Sequence, residues 1–113
     1  MAARNPLIEA PPYAVEQALK KLGADLRTAR LRRNLSVEDV AQKIGAGVRA
    51  VRDAEKGKPS TSVAVYAGLL WAFDLHNNLG DAADPLKDKE GQALALARER
   101  TRARRKRGMS NEF

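Results

Sequence analysis

Arg49, Arg52 and Lys56 recur at intervals of three and four in SVEDVAQKIGAGVRAVRDAEKGK, residues 36–58. On a helix that spacing puts all three cations on one side. An arginine fork can bond two acceptors on a guanine edge at once, and a lysine meets phosphate as a point charge. Two neighbours add to the set. Asp53 can accept from a cytosine amino group, and Val48 can touch a thymine methyl. The candidate base-reading residues are therefore Val48, Arg49, Arg52 and Asp53. Around them Ser36, Gly47, Lys56, Lys58 and Ser60 offer hydroxyls, a bare amide and ammonium groups to phosphate oxygens.

No other group of reactive side chains forms a constellation. His76 is the single histidine and the chain has no cysteine, so thiol chemistry is excluded and the histidine reads as a surface or capping residue. Asp81, Asp84, Asp88 and Glu90 lack the alternate-position ligands and closing glutamate of a calcium loop, and read as a solvated acidic loop. Gly45-Ala46-Gly47 follows no strand and precedes no Gly-Lys-Ser/Thr, so it is no phosphate loop. With no nucleophile–base pair and no ligand cluster, the sequence argues against an enzyme and calls for no metal and no cofactor.

Charge points to a polyanionic partner. The chain has 113 residues and a net charge of +7. Residues 20–58 hold eleven cations against five acids, and "RERTRARRKR", residues 98–107, adds a further +6. The second zone is a basic tail of Arg98, Arg100, Arg102, Arg104, Arg105, Lys106 and Arg107, expected to be a disordered, counterion-releasing arm. An acidic zone, residues 59–97, separates the two. The apolar stretch Ala64 to Phe73 is ten residues, too short to span a bilayer. The N-terminal stretch lacks the apolar core of a signal peptide. These readings predict a cytoplasmic, nucleoid-associated protein with no membrane partner.

The elements that must hold the cations are helices. Aromatic residues are scarce, so a core has to be built from Leu, Val, Ile and Ala. Residues 1–13 form an N-terminal arm, of which residues 1–10 read as loose, and Pro11-Pro12 sets up a helix start. Val15, Leu19, Leu22, Leu26 and Ala29 then mark one face of a helix reaching about Arg33, with a possible break at Gly23. Ser36 and Asp39 form a capping-box variant at the start of a helix over Val37–Ile44. Gly45 stops it at positive φ. A third helix runs from Val48 to about Lys56. A fourth spans Ser62–Phe73, capped by Ser60 or Thr61, with Trp71 in the core. A fifth crosses Leu75–Ala83, and Asp84-Pro85 ends it.

Counting from Val37, small Ala41 falls at the fifth position, Gly45 at the ninth and Val51 at the fifteenth. Two helices meeting at a steep angle need a small residue at the crossing and a positive-φ residue in the turn. Val40, Ile44, Val51 and Ala54 then face inward. This is the spacing of a helix-turn-helix, whose second helix enters a DNA major groove. The predicted fold is all-α: a five-helix domain over residues 14–84, an N-terminal helical extension, and a C-terminal extension with its basic tail over residues 85–113.

Residues 22–75 resemble the Xre/Cro family of phage-repressor-like helix-turn-helix domains, through "VAQKIG" and "EKGK". The resemblance implies a structural ion pair between Arg30 and Glu55. It also puts Val37 where the family often has a phosphate-gripping Gln, so that contact falls to Ser36, backbone amides or nearby cations. Over residues 22–107, "LGADLRTARLRRNLSVEDVA", "GLLWAFDL" and "LGDAADPLKDKEG" are similar to HipB-like antitoxins, dimeric repressors that partner HipA-like kinase toxins. Val37, Gly47 and Ala54 depart from the pattern. What the resemblance implies is a homodimeric transcriptional repressor on a palindromic double-stranded DNA operator. It would also be the antitoxin of a toxin-antitoxin module, binding a HipA-like kinase toxin. The alternatives are a stand-alone Xre-family regulator, or a protein-interaction module whose basic tail binds RNA.

Overall fold

The computed structural model describes residues 5–110, and every regular element among them is an α-helix. The chain forms two compact units that divide between Leu79 and Gly80. The first contains α1 (Pro6–Glu9), α2 (Tyr13–Arg32), α3 (Val37–Ile44), α4 (Val48–Glu55) and α5 (Val63–Ala72). The division falls at the last residue of α6 (His76–Gly80). The second unit is built on α7 (Lys89–Ser110).

The core of the first unit draws one or two residues from each long helix. Leu26 and Ala29 come from α2, Val40 and Ala41 from α3, Val51 and Ala54 from α4, Tyr66 and Leu69 from α5, and Phe73 from the residue that caps it. Each fully buried Leu, Val or Phe side chain contributes about 1.5–3 kcal/mol relative to exposure. Val51 and Ala54 are wholly inaccessible, so α4 is pinned by its inner face while its outer face stays free.

Local chemistry sets the helix ends. The Ser36 hydroxyl accepts from the Asp39 amide at 3.0 Å, and the Asp39 carboxylate accepts from the Ser36 amide at 3.0 Å. Gly45 ends α3 at φ 73°, where the Ala46 amide reaches back to the Ala41 carbonyl at 3.0 Å. The Ser36 backbone N–H, and then its hydroxyl, hold the Asp39 carboxyl below the usual aspartate range. Ionised Asp39 therefore stabilises the fold at neutral pH, and this contribution disappears as pH falls through the lowered pKa. Melting curves of the chain and of Asp39→Ala are expected to be separated at pH 7 and to draw together only as pH falls well below the ordinary aspartate pKa of about 4. Curves separated by the same interval at both ends of that range would rule out an ionised cap.

α2 runs unbroken through Gly23, contrary to the two-segment alternative. The glycine is buried because α4 and its following turn press on it. A Cβ there would lie 2.5 Å from the Ala54 carbonyl oxygen, 2.7 Å from that of Glu55 and 2.7 Å from the Gly57 nitrogen. From the other side Gly57, at φ 71°, would place a Cβ 2.6 Å from the Lys20 Cα. Two glycines and the small Ala54 thus let the backbones of α2 and the α4–α5 turn touch.

Other expectations are corrected. Residues 5–10 are not loose: Asn5 caps α1, its side-chain oxygen accepting from the Leu7 amide at 3.0 Å. The rest of the expected arm, residues 1–4, lies outside the described residues. Ser62, not Ser60 or Thr61, caps α5, accepting from the Val65 amide. Val15 is exposed, and the inner face of α2 begins only at half-buried Leu19. Trp71 is not in the core: it is 54 % exposed, because α5 is apolar on most sides and buries only the face of Tyr66 and Leu69. The fifth helix of the sequence reading is shorter, His76–Gly80. The basic tail is a helix rather than a disordered arm as far as Ser110. α7 starts at the Asp88 carboxylate, which accepts from the Gly91 amide at 3.0 Å. Asp84 closes a turn by accepting from the Leu86 amide at 2.9 Å. The acidic loop is thus used in capping, and no metal-binding group of acids occurs among the described residues.

Candidate nucleic-acid interface

α4 projects its cations from a rigid base. Arg30 of α2 and Glu55 at the end of α4 make a two-pronged pair, Nε–Oε2 at 2.6 Å and Nη2–Oε1 at 3.0 Å. The third prong, Nη1, donates to the Leu35 carbonyl at 2.9 Å. Both side chains are about nine-tenths buried. The hydrogen bonds that Arg30 donates to Glu55 drive its pKa up, outweighing the opposite push of burial. The pair joins α2, the α2–α3 turn and the last residue of α4, so it sets the angle at which α4 leaves the body.

Further contacts hold the same end. Lys58 Nζ meets Asp53 Oδ1 at 3.1 Å, and the buried Tyr66 hydroxyl donates to the Lys58 carbonyl at 2.8 Å. Burial pushes the Tyr66 phenol up, which keeps it a hydrogen-bond donor at neutral pH. The start of α4 is different. Gly47 is the N-cap residue with no side chain over the first amides, and it is exposed.

The outward face is narrower than the sequence pattern implies. Gly47, Arg49, Arg52 and Lys56 are exposed, and the three cations form one stripe along α4. Val48 is half-buried and packs against the core. Asp53 is also half-buried, with its carboxylate engaged by Lys58. Both are less open to solvent than Arg49 and Arg52. Arg49 and Lys56 have no side-chain partner among the described residues, whereas Arg52 lies 3.6 Å from Glu38 of α3. The Ser36 oxygen is used as an acceptor in the cap, which leaves its hydroxyl proton to donate outward. Ser60 is exposed in the turn before α5.

Sequence reading missed several contacts that shape this surface. Glu38 against Arg52 and Asp53 against Lys58 are pairings set by the tertiary fold. Arg33 and Lys43 converge on the end of α5, where Arg33 Nη2 donates to the Phe73 carbonyl at 3.2 Å and Lys43 Nζ to the Ala72 carbonyl at 3.4 Å. The Arg33 guanidinium also sits 5.1 Å from the centre of the Phe73 ring. Cations at a helix C-terminus meet its partial negative charge, so these two serve the fold and do not count towards the interface. The surface that remains is a cationic stripe on a short helix, braced from behind and preceded by a tight glycine turn. Such a surface matches phosphate rows and the acceptor edges of bases.

Comparison with known families agrees with this geometry. A helix-turn-helix domain model matches residues 21–82, more than half of the chain. No curated protein and no solved structure matches.

Proposed function

The chain belongs to the helix-turn-helix domain family, and we propose that it is a sequence-specific transcriptional repressor that binds a palindromic operator as a homodimer. The observation that carries this reading is the stripe of Arg49, Arg52 and Lys56 on the exposed side of α4, held in place by the buried Arg30–Glu55 pair. Arg49 and Arg52 read base edges. Ser36, the Gly47 amide region, Lys56 and Ser60 position the protein on phosphates, and Lys58 joins them only if it leaves Asp53. No helix among the described residues is long and apolar enough to cross a membrane, and a nucleoid location suits a DNA-binding regulator.

One domain of this size makes few base contacts, and operators of this kind are read by two-fold dimers with half-sites about one helical turn apart. Trp71, Leu75 and Leu79 are exposed apolar side chains on the segment that follows the DNA-facing helices, and they are our candidates for the dimer seam. The similarity of "GLLWAFDL" and "LGDAADPLKDKEG" to HipB-like antitoxins supports a second role, neutralising a HipA-like kinase toxin and repressing the shared operon.

The reading is tested by gel-shift titration on an operator selected from a random pool. Arg49→Ala is expected to weaken the selected site by about 1–3 kcal/mol and to relax selectivity at one base position. Arg52→Ala is expected to act likewise at a different position. Unchanged affinity and selectivity in both variants would remove α4 as the reading helix. Sedimentation at micromolar concentration tests the dimer, and co-purification with an adjacent kinase-like protein tests the antitoxin role.

A further inference from the structure

Six of the seven cations in residues 98–107 are arginines, and all seven are exposed on α7. Their order along the helix is not random. At about 100° per residue, Arg98, Arg102 and Arg105 fall within an arc of about 60°. Arg100, Arg104 and Arg107 fall within a second arc of about 60°, on nearly the opposite side. Glu99 and Lys106 lie between the stripes on one flank, and Ala97 and Thr101 on the other. None of the six arginines has an ion-pair partner among the described residues. Within each stripe the arginines stand three and four residues apart, so they repel one another in the free protein.

We propose that this segment is a second DNA-binding element, which lies in the major groove of a duplex with one arginine stripe against each flanking phosphate row. The geometry selects the ligand. A flat acidic surface or a single phosphate row would engage one stripe and leave the other facing away. A groove about 12 Å wide takes a helix whose diameter with side chains is about 10–12 Å, and offers phosphates on both walls. The choice of arginine fits, because its planar fork pairs with phosphate through two hydrogen bonds. Residues 98–107 extend about 15 Å along the helix, enough to run beside several phosphates on each strand. A-form RNA has a deep, narrow major groove that suits this helix less well. The inference rests on the chain being a duplex-DNA binder but uses none of the α4 residues.

The test uses the full chain and a random-sequence DNA duplex, with affinity measured against salt concentration. Two triple variants are compared: Arg98→Gln with Arg102→Gln and Arg105→Gln, and Arg100→Gln with Arg104→Gln and Arg107→Gln. Each triple is expected to make the slope of log K against log salt shallower by about 2.7, at about 0.9 for each of three phosphate contacts. The melt of the first unit is expected to be unchanged, because all six side chains are exposed in the second. Loss confined to one triple overturns the straddling helix, as does no change in either, or no binding to the duplex at all. Tighter binding to an RNA hairpin than to the duplex also overturns it. Arg49→Ala separates this inference from the reading of α4. If both triples act while Arg49→Ala and Arg52→Ala leave operator selectivity intact, the α4 reading fails and the α7 element stands.

Discussion

Glu55→Ala is expected to destabilise the first unit by about 3–5 kcal/mol, because it strands the Arg30 guanidinium in a site where both partners are about nine-tenths buried. The loss is more than that of an ion pair. Arg30 keeps its bond to the Leu35 carbonyl but has no carboxylate to offset removal from water. For a domain of this size the melting midpoint should fall by roughly 12–40 °C. Replacing both partners by methionine is expected to be far milder, since a buried pair often contributes little beyond a well-packed apolar substitute. The comparison is made by thermal and denaturant melts of the single and double variants. A Glu55→Ala midpoint within a degree or two of the parent would show that solvent reaches the pair in solution. If the double methionine variant is stable, its operator affinity then measures how much the angle of α4 depends on the pair.

Gly23→Ala sets two physical effects against each other. In the middle of α2, alanine gains about 1 kcal/mol of helix propensity over glycine. The added methyl would meet three backbone atoms of α4 and its turn at 2.5–2.7 Å, and backbone cannot rotate away as a flexible side chain can. Overpacking of this kind costs about 1–3 kcal/mol when side chains give way, and more when they cannot. A net loss of about 2 kcal/mol or more is therefore expected, with a matching fall in the denaturant midpoint. Gly45→Ala serves as a control. That site has positive φ but nothing within 4 Å of a Cβ, so only the left-handed backbone penalty applies, about 1–2 kcal/mol. A stabilised Gly23→Ala would mean that α2 and α4 stand further apart than described.

What was legible in the sequence was local. Ser36 with Asp39 and the stop at Gly45 depend on atoms a few residues apart, and the inward set Val40, Val51 and Ala54 follows from helical period. The Arg30–Glu55 pair came from family resemblance, since no spacing rule links residues on different helices. Gly23 misled because, viewed along the chain, a glycine only weakens a helix; its use lies in an approach by α4, which the chain order does not reveal. Trp71 misled for the opposite reason. A helix apolar on most sides carries no periodic signal, so nothing in α5 says that Tyr66 and Leu69 turn inward while Trp71 turns out. Val48 and Asp53 were grouped with the readers by their place on the outward face and by the bases their side chains suit. That Val48 also packs on the core and Asp53 also meets Lys58 are tertiary effects the chain order does not reveal. For α7 the like charges suggested disorder, while the helix-forming residues over 92–97 and the Asp88 cap favour the helix that is present.

α4 is eight residues long, with its inner face packed from Val48 to Ala54 and its strongest polar fastenings gathered at one end. Glu55 is fastened to α2, the following turn is pressed on α2 through Gly57, and Lys58 is tied to Asp53 and Tyr66. At the other end Gly47 and Arg49 project from a bare glycine turn. The inner face of α4 and its fastened end, the root, answer to the demands of folding, and the exposed side chains at its tip answer to whatever the proposed readers must match. Mutation can therefore explore new base preferences at the tip at little risk to the root. A lineage of such proteins could diverge in the operators they recognise while the architecture that carries the tip stays the same.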